Sequence, residues 1–360
     1  MSDLKYSTGV PALPKDTASR IGIVMMSALG DAVHVLPVIN ALKRWAPASR
    51  ISWILQHGPA SLVRGHPAVD DIVLFDRRGG LRSYSEMRRA LAMRAFDLVL
   101  ALQVYIKAGI VTWLARSPIK LGFDRDRARD ANWLFTTHRI PPHAPQHVQD
   151  QYFEFLQFLS VPHEPVEWTL GPWPHELPAQ RTFYDKLDRP AAVMVIGSSS
   201  RPREWIPERW AAVADALHHD FGLQPVLAGG RSDRELATEA AMRRHARAPL
   251  VSTLGVPLRE LVGIIDGADL VISLDTAPLH MAVALDRPVI SLIGHTNPKR
   301  TGPYRRYHDL LIDAYGDPGE DYPISIERRY DRMPRITVQQ VLEKIELWRS
   351  SYGVRSSTRR

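Results

Sequence analysis

The stretch IGIVMMSALGDAVHVLPVINALKRWAPASRISWIL, residues 21–55, predicts the fold. It begins with an apolar run, residues 21–26, that is typical of a buried strand. Apolar residues then recur at three- and four-residue spacing, as on one face of a helix, and residues 51–55 form a second apolar run. A strand, a helix and a second strand of these lengths predict a βαβ unit with two parallel strands.

Strand and helix signals alternate along the rest of the chain. Further strands are predicted at 72–75, 98–102, 192–196, 225–228, 270–274 and 289–293, and helices at 81–95, 147–160, from 207, 233–246, 257–266 and 277–285. The alternation predicts an α/β protein whose parallel sheets are covered by helices on both faces. We therefore expect two doubly wound, Rossmann-like domains.

Five prolines between residues 162 and 178 predict the linker between the domains. The last helix should begin with a capping box, with Thr337 as N-cap and Gln340 three residues on. The predicted division is a flexible tail at 1–19, an N-terminal domain at 20–161, a Pro-rich linker at 162–190, a C-terminal domain at 191–335, a helix at 336–352 and a basic tail at 353–360.

Composition excludes several classes of protein. The chain has 360 residues, of which 45% are hydrophobic and 24% charged, which excludes a disordered or fibrous chain. It has no cysteine, so disulfides and thiolate metal sites are excluded, and a reducing compartment fits. The first twenty residues lack the apolar core of a signal peptide, and no run of about 20 apolar residues suits a membrane span. We expect a cytoplasmic protein with at most peripheral membrane contact.

Positive charge is concentrated in the N-terminal half. The net charge is +7, and residues 77–139 hold thirteen Lys or Arg against five Asp or Glu. Such a segment suits an anionic partner, although a solvated basic surface with no partner explains it equally. Nucleic acid is disfavoured, since the arginine pairs lack interleaved aromatic residues and no recognition module is present.

Ligands of doubly wound sheets bind beyond the carboxyl ends of the strands. The first such turn, SALGD at 27–31, has neither GxGxxG nor a P-loop, which disfavours nicotinamide cofactors and P-loop chemistry. Its carboxylate, Asp31, could accept a proton from a bound hydroxyl or could cap the helix. Both interpretations stay open on local sequence.

Three polar turns in the C-terminal half predict an anion site. They are DTAPLH at 275–280, SSSRPR at 198–203 and GGRSD at 229–233, each after a predicted strand. Together they suggest a nucleotide or diphosphate pocket, because free N–H groups at helix starts bind anions. Each alone is an ordinary loop.

His143 and His147 have the spacing of metal ligands, but the prolines around them preclude a helix, and we expect no metal.

These residues resemble the family 9 glycosyltransferases, the heptosyltransferases of lipopolysaccharide core assembly. SALGDAVHVLP at 27–37 is similar to the family's GDxxHxLP opening, and residues 275–304 are similar to its DTGxxHxAAALxxPxxxLFGPTxPxxxGP block. SSSRPREWIPERW at 198–210 also resembles a family segment. The resemblance spans about residues 20–350.

The resemblance implies a GT-B fold, with two Rossmann-like domains facing a central cleft. It further implies inverting transfer of a heptose, or a similar sugar, from a nucleotide-diphosphate donor, most simply ADP-heptose, to an anionic inner-core acceptor at the inner membrane. No cofactor is required; a divalent cation such as Mg²⁺ could assist, although no site is evident. A nucleotide-sugar epimerase of the same fold and a non-catalytic nucleotide- or polyanion-binding protein are the alternatives.

The resemblance also assigns residues. Asp31 is the expected general base, and the others are donor-binding Ser198, Ser199, Arg201, Arg203, Gly230, Glu235, Val256, Asp275, Thr276, Ala277 and His280, and acceptor-binding His34, Arg77, Arg78 and Arg82. Three positions depart from the family. Arg203 occupies the position where many members have lysine, and Arg201 is the other candidate for that position. Ala277 replaces the usual glycine, and His295 replaces the usual proline.

Overall fold

The computed structural model describes residues 18–353 together with Gly9, Leu13 and Lys15. Within it the chain divides into two compact units, residues 1–144 with 148–169, and residues 145–147 with 170–360. The division after residue 169 falls inside the segment predicted as linker. The tails predicted at 1–19 and 353–360 lie mostly outside the described residues.

The first unit is a parallel sheet with interleaved helices. Its elements are β1 (Arg20–Val24), α1 (Leu29–Trp45), β2 (Arg50–Leu55), α2 (His57–Val63), β3 (Asp71–Leu74), α3 (Leu81–Ala92), β4 (Leu98–Ala101), α4 (Ile106–Leu114), β5 (Ile119–Gly122), β6 (His138–Arg139) and α5 (Val148–Phe158). The strand order is β3-β2-β1-β4-β5-β6, and all pairings are parallel.

The sheet of the first unit is buried because its central strands are apolar throughout. The side chains of Ile21, Ile23 and Trp53 are fully buried, and the Trp53 indole N–H donates to the carbonyl of Met25 at 3.1 Å. Continuous apolar runs are what a sheet covered on both faces requires. Successive strands are added on one side of β1 up to β3 and on its other side from β4 onward. The carboxyl ends of β1 and β4 therefore form the expected ligand-binding edge.

The second unit repeats this architecture. Its elements are α6 (Leu177–Tyr184), β7 (Ala191–Val195), α7 (Pro207–His219), β8 (Gln224–Ala228), α8 (Asp233–His245), β9 (Val251–Ser252), α9 (Leu258–Gly267), β10 (Leu270–Leu274), α10 (Ala277–Ala284), β11 (Val289–Ile293), α11 (Pro298–Thr301), β12 (Leu311–Asp313) and α12 (Val338–Ser351). The strand order is β12-β11-β10-β7-β8-β9. Read from the β9 edge, it repeats the order of the first unit, with β7 in the place of β1.

The C-terminal helix α12 completes the second unit. Thr337 caps it and Gln340 bonds back to the Thr337 N–H at 2.8 Å, which confirms the predicted capping box. Trp348 is fully buried and its indole N–H donates to the carbonyl of Asp269 at 3.2 Å, just before β10. This contact ties the end of the described chain to the sheet.

The structure contains elements that the sequence patterns did not predict. Helix α6 lies within the predicted linker and is fixed to α9 by Gln180, whose side-chain amide donates to the carbonyl of Gly263 at 2.8 Å. Helices α2 and α4 and the short strands β5, β6, β9 and β12 were also missed. The longest described helix, α1, has 17 residues, and no helix in the described part of the chain combines the length and apolar character of a membrane span.

Candidate active-site residues in the two units

In the second unit, the turn between β10 and α10 carries the predicted DTAPLH residues. Asp275 follows the wholly buried strand β10 and is itself only 5% exposed. Thr276 is the N-cap of α10, with extended backbone, and a proline stands in the first turn of the helix. The first N–H groups of such a helix have no partner within the helix, so the turn offers donors to an anion.

Two side chains from neighbouring strand exits hold the Asp275 carboxylate. Thr296, after β11, donates its hydroxyl to Oδ2. Arg203, in a short 3₁₀ helix after β7, places its Nε 3.7 Å from the same oxygen and donates from Nη1 to the Asp275 main-chain carbonyl at 3.1 Å. Oδ2 therefore accepts a hydrogen bond from Thr296 and has the positive charge of Arg203 close to it, and the structure brings Arg203 rather than the exposed Arg201 to Asp275.

Glu235 organises the turn after β8. Its Oε1 accepts from the N–H of Gly230 at 2.7 Å, and its Oε2 accepts from the N–H and the hydroxyl of Ser232 at 2.9 and 2.6 Å. Ser232 is the N-cap of α8, so the pair forms a capping box. A Cβ at Gly197, after β7, would lie 1.9 Å from Oε1, which means that only glycine leaves room for this carboxylate.

A second cation lies close to the SSSRPR turn. The guanidinium of Arg234 donates to the carbonyl of Ser198 at 3.2 Å and pairs with Glu204 at 2.9 Å. Burial raises the pKa of the Glu204 carboxyl above its ordinary value, while the charge of Arg234 acts in the opposite sense. Ser198 is buried and accepts from the N–H of Ser200 at 3.2 Å, whereas Ser199 is exposed.

The other predicted donor residues lie around the same sheet edge. Ala277 is half-buried at the start of α10, and Val256 is half-buried after β9, where its N–H donates to Thr253. His280 is buried, and burial, together with the charges of His147 and Arg203, lowers its pKa to about 3. His280 is therefore neutral at physiological pH and can act there only as a neutral imidazole.

In the first unit, Asp31 lies at the third position of α1, after β1. Its Oδ2 accepts from the N–H of Ala28 at 2.8 Å, so the carboxylate does cap the helix. Its Oδ1 accepts from the hydroxyl of Tyr152 on α5 at 3.2 Å. Asp31 is half-buried and so keeps part of its surface accessible. Capping and proton acceptance are compatible, because a carboxylate has about four lone-pair positions.

The predicted acceptor residues do not cluster in one environment. His34 is buried one turn after Asp31, where Nδ1 meets Gln149 at 3.1 Å and the His34 carbonyl accepts from the same amide at 2.8 Å. Arg77 and Arg78 are exposed after β3. Arg82 is exposed on α3 and pairs with Glu86 at 2.7 Å, so part of its charge is already neutralised.

The sequence patterns missed two of these contacts. Thr296 lies inside the quoted block at 275–304, but nothing in its spacing indicated a bond to Asp275. Tyr152 belongs to a predicted helix to which no functional residue was assigned, and its contact with Asp31 spans 121 positions. Among the residues that the structure describes, no group of three His, Asp or Glu side chains could hold a metal ion.

Comparison with known proteins identifies the family. The sequence pattern of glycosyltransferase family 9 (heptosyltransferase) matches residues 84–317, more than half of the chain. The chain belongs to this family. The match contains all the predicted donor-binding residues, from Ser198 to His280. The chain is thus a glycosyltransferase.

Two similar proteins are lipopolysaccharide heptosyltransferases. The lipopolysaccharide core heptosyltransferase OpsX of Haemophilus influenzae is 25% identical over 333 residues, which cover 90% of this chain and 95% of that protein. Lipopolysaccharide heptosyltransferase 1 of Pseudomonas aeruginosa is 27% identical and covers 84% of each chain.

Solved structures show the fold of this family 9 chain. The family 9 glycosyltransferase of Veillonella parvula has a TM-score of 0.80 at 22% identity, covering 93% of this chain and 98% of that one. The Escherichia coli heptosyltransferase WaaC with ADP has a TM-score of 0.72 at 23% identity, covering 91% and 99%. The predicted GT-B fold is confirmed.

Proposed function

We propose that this glycosyltransferase transfers a heptose from ADP-heptose to the inner core of lipopolysaccharide. The observation that carries the proposal is the Asp275 turn, where a buried carboxylate and the guanidinium of Arg203 lie at the start of α10. A sugar diphosphate presents hydroxyls and negative charge together, and this turn offers an acceptor and donors together. Named relatives are lipopolysaccharide heptosyltransferases, and a similar solved structure holds ADP.

In the donor complex, the Asp275 carboxylate accepts hydrogen bonds from sugar hydroxyls. Arg203 binds the diphosphate, and Thr276 with the first N–H groups of α10 stabilises the negative charge that develops as the diphosphate departs. Glu235 acts indirectly, since its oxygens hold the turn that contains Gly230. Ser198, Ser199, Val256, Ala277 and His280 complete the proposed donor contacts.

Asp31 is the proposed general base. The acceptor hydroxyl transfers its proton to the carboxylate as its oxygen bonds to the anomeric carbon, and the bond to the diphosphate breaks on the opposite side. This displacement inverts the anomeric configuration. Sugar hydroxyls are not ionised at neutral pH, so the step needs a base, whose contribution is commonly about 10²- to 10⁴-fold.

The acceptor is proposed to bind the first unit through Arg77, Arg78 and Arg82, with His34 positioning α1. Phosphates and carboxylates of the inner core match these cations. The acceptor is anchored in lipid, so we place the protein in the cytoplasm, in peripheral contact with the inner membrane. Family membership favours transfer over the epimerase and non-catalytic alternatives.

Mass spectrometry of purified protein tests the proposal. The protein is incubated with a panel of nucleotide sugars and with truncated core acceptors. We expect one heptose to be added to an acceptor with ADP-heptose as donor, and no product when either substrate is left out. Isomerisation of the donor without an acceptor would instead support the epimerase.

A further inference from the structure

We propose that the outer side of α4 is a docking surface for an anionic lipid bilayer. The α4 surface consists of three exposed apolar side chains with three cations: Ile106, Trp113, Leu134, Lys107, Arg116 and Lys120. The inference goes beyond the proposed function, which assigns a lipid-anchored acceptor but no part of the protein that meets the membrane.

Two of the apolar side chains lie on one face of α4. Ile106 and Trp113 are seven residues apart, which is two helical turns, so their side chains point in nearly the same direction. Both are exposed, Trp113 to 63%. A single exposed apolar residue is ordinary, but an exposed tryptophan and an exposed isoleucine on the same face suit contact with an apolar environment.

A short 3₁₀ helix adds Leu134 to this face. Residues Asn132–Phe135 pack against α4, with the Asn132 amide donating to the Tyr105 carbonyl at 2.8 Å. The Phe135 ring occupies the space at Gly109, where a Cβ would lie 2.4 Å from the ring. Gly109 is three residues after Ile106 and four before Trp113, so it lies on the same side of α4 and the turn is held beside them. Leu134 is nevertheless 55% exposed, which adds it to the apolar patch.

Three cations accompany the apolar residues, two of them next to or bonded to α4. Lys107 is exposed next to Ile106, and the Lys120 ammonium donates to the Trp113 carbonyl at 2.9 Å. The guanidinium of Arg116 reaches the carbonyl of Ala92 at 3.3 Å, at the end of α3. Each Lys or Arg close to an anionic leaflet contributes about fivefold to binding.

The excess of positive charge around α4 favours an anionic partner. Residues 105–139 hold seven Lys or Arg against three Asp, and one of these, Asp124, is buried in an ion pair with Arg127. A second copy of the chain would bring its own cations against these, so self-association through this surface is disfavoured. A bilayer with anionic headgroups accepts apolar side chains and cations together, with tryptophan at the interface.

Vesicle flotation of the full-length protein tests the docking surface, with phosphatidylcholine vesicles that contain or lack phosphatidylglycerol. We expect binding only with phosphatidylglycerol. Trp113→Gln combined with Leu134→Gln should weaken it about tenfold or more, through lost apolar contact. Lys107→Gln combined with Arg116→Gln should by itself weaken binding about 25-fold and flatten its salt dependence.

Leu81→Gln is the matched control, since Leu81 is 88% exposed in the same unit and precedes Arg82, but lies at the start of α3. We expect it to bind as the parent does. Because the chain has no cysteine, Leu134→Cys and Leu81→Cys each give one site for an environment-sensitive fluorophore. Emission should shift to the blue with anionic vesicles at position 134 and stay constant at position 81.

Parent-like binding of the Trp113 and Leu134 double variant, or an equal emission shift at both labelled positions, overturns the inference. Light scattering gives the oligomeric state of both proteins. If the parent is a dimer, the double variant is a monomer and vesicle binding is unchanged, the surface binds a second copy of the chain instead. Vesicle binding needs neither substrate, so a parent that binds vesicles but transfers no heptose to a soluble acceptor contradicts the proposed function alone.

Discussion

The two strand-exit turns that carry the candidate aspartates hold their carboxylates differently. Asp275 is buried, with Thr296 donating to Oδ2 and Arg203 lying 3.7 Å from the same oxygen. Asp31 is half-buried and accepts from a backbone N–H and from the Tyr152 hydroxyl. A carboxylate fixed beside a guanidinium is suited to hold a ligand, whereas an accessible one can meet the hydroxyl of another molecule. The same residue type, placed after a central strand in each of two like sheets, thus suits two tasks.

The largest effect is expected from Asp31→Asn. The amide keeps an oxygen for the Ala28 N–H but cannot take a proton, so turnover should fall about 10²- to 10⁴-fold while donor affinity stays nearly constant. Turnover at saturating substrates and calorimetric titration with ADP measure the two quantities. Turnover within about threefold of the parent, well short of the usual value of a general base, would make Asp31 a helix cap and nothing more.

Arg203→Ala tests the other turn. Loss of the guanidinium should weaken ADP binding by roughly 10- to 100-fold, since hydrogen bonds to charged groups are the strong ones. Arg203→Lys should recover part of the loss, because the charge remains but the contact with the Asp275 carbonyl needs the arginine fork. Titration with ADP measures both variants. If Arg203→Ala binds ADP as the parent does, Arg201 becomes the phosphate ligand.

Thr296→Val separates positioning from binding at Asp275. Without the hydroxyl, Oδ2 loses a donor, so the Michaelis constant for the donor sugar should rise by about tenfold, while affinity for free ADP is unchanged. Thr296→Ser restores the hydroxyl and should restore the parental constant. Thr112→Val, which removes a buried hydroxyl bound to Ala108 on α4, is the control for a general loss of stability. Equal losses in the two valine variants contradict the positioning role.

Charge reversal of Arg77, Arg78 and Arg82 should have the smallest effect. The acceptor's Michaelis constant should rise severalfold and depend less on salt, because exposed charges are screened beyond a Debye length of about 8 Å. Titration with ADP should be unchanged. The control reverses Arg88 and Arg89, exposed on the same helix α3. Unaltered acceptor kinetics in the triple variant, with an intact circular dichroism spectrum, would leave the acceptor site elsewhere.

The central strands were predictable because burial on both faces demands continuous apolar runs. Strands such as β1 and β10 meet that demand, whereas edge strands β6 and β9 have two residues each and carry no detectable pattern. Helix α6 was missed because prolines were taken as breakers. One of them, Pro178, stands in the first turn of the helix, where proline is tolerated.

Only those residues of the candidate site that directly follow a predicted strand could be predicted from the sequence. The polar turns and Asp31 follow strands, so position alone singled them out. The Thr296 and Tyr152 contacts join distant parts of the chain, and no periodicity encodes them. Helix α4 was missed because it is apolar on most sides and lacks a polar cap, and the α4 surface was missed with it.

The glycine at position 197 has an evolutionary consequence. Since any side chain there would overlap the Glu235 carboxylate, neither position can change alone without breaking the turn that both support. We expect the two positions to covary among related sequences, so that a residue larger than glycine at the first accompanies loss of the glutamate at the second. Such paired replacements would mark lineages in which this turn has been rebuilt.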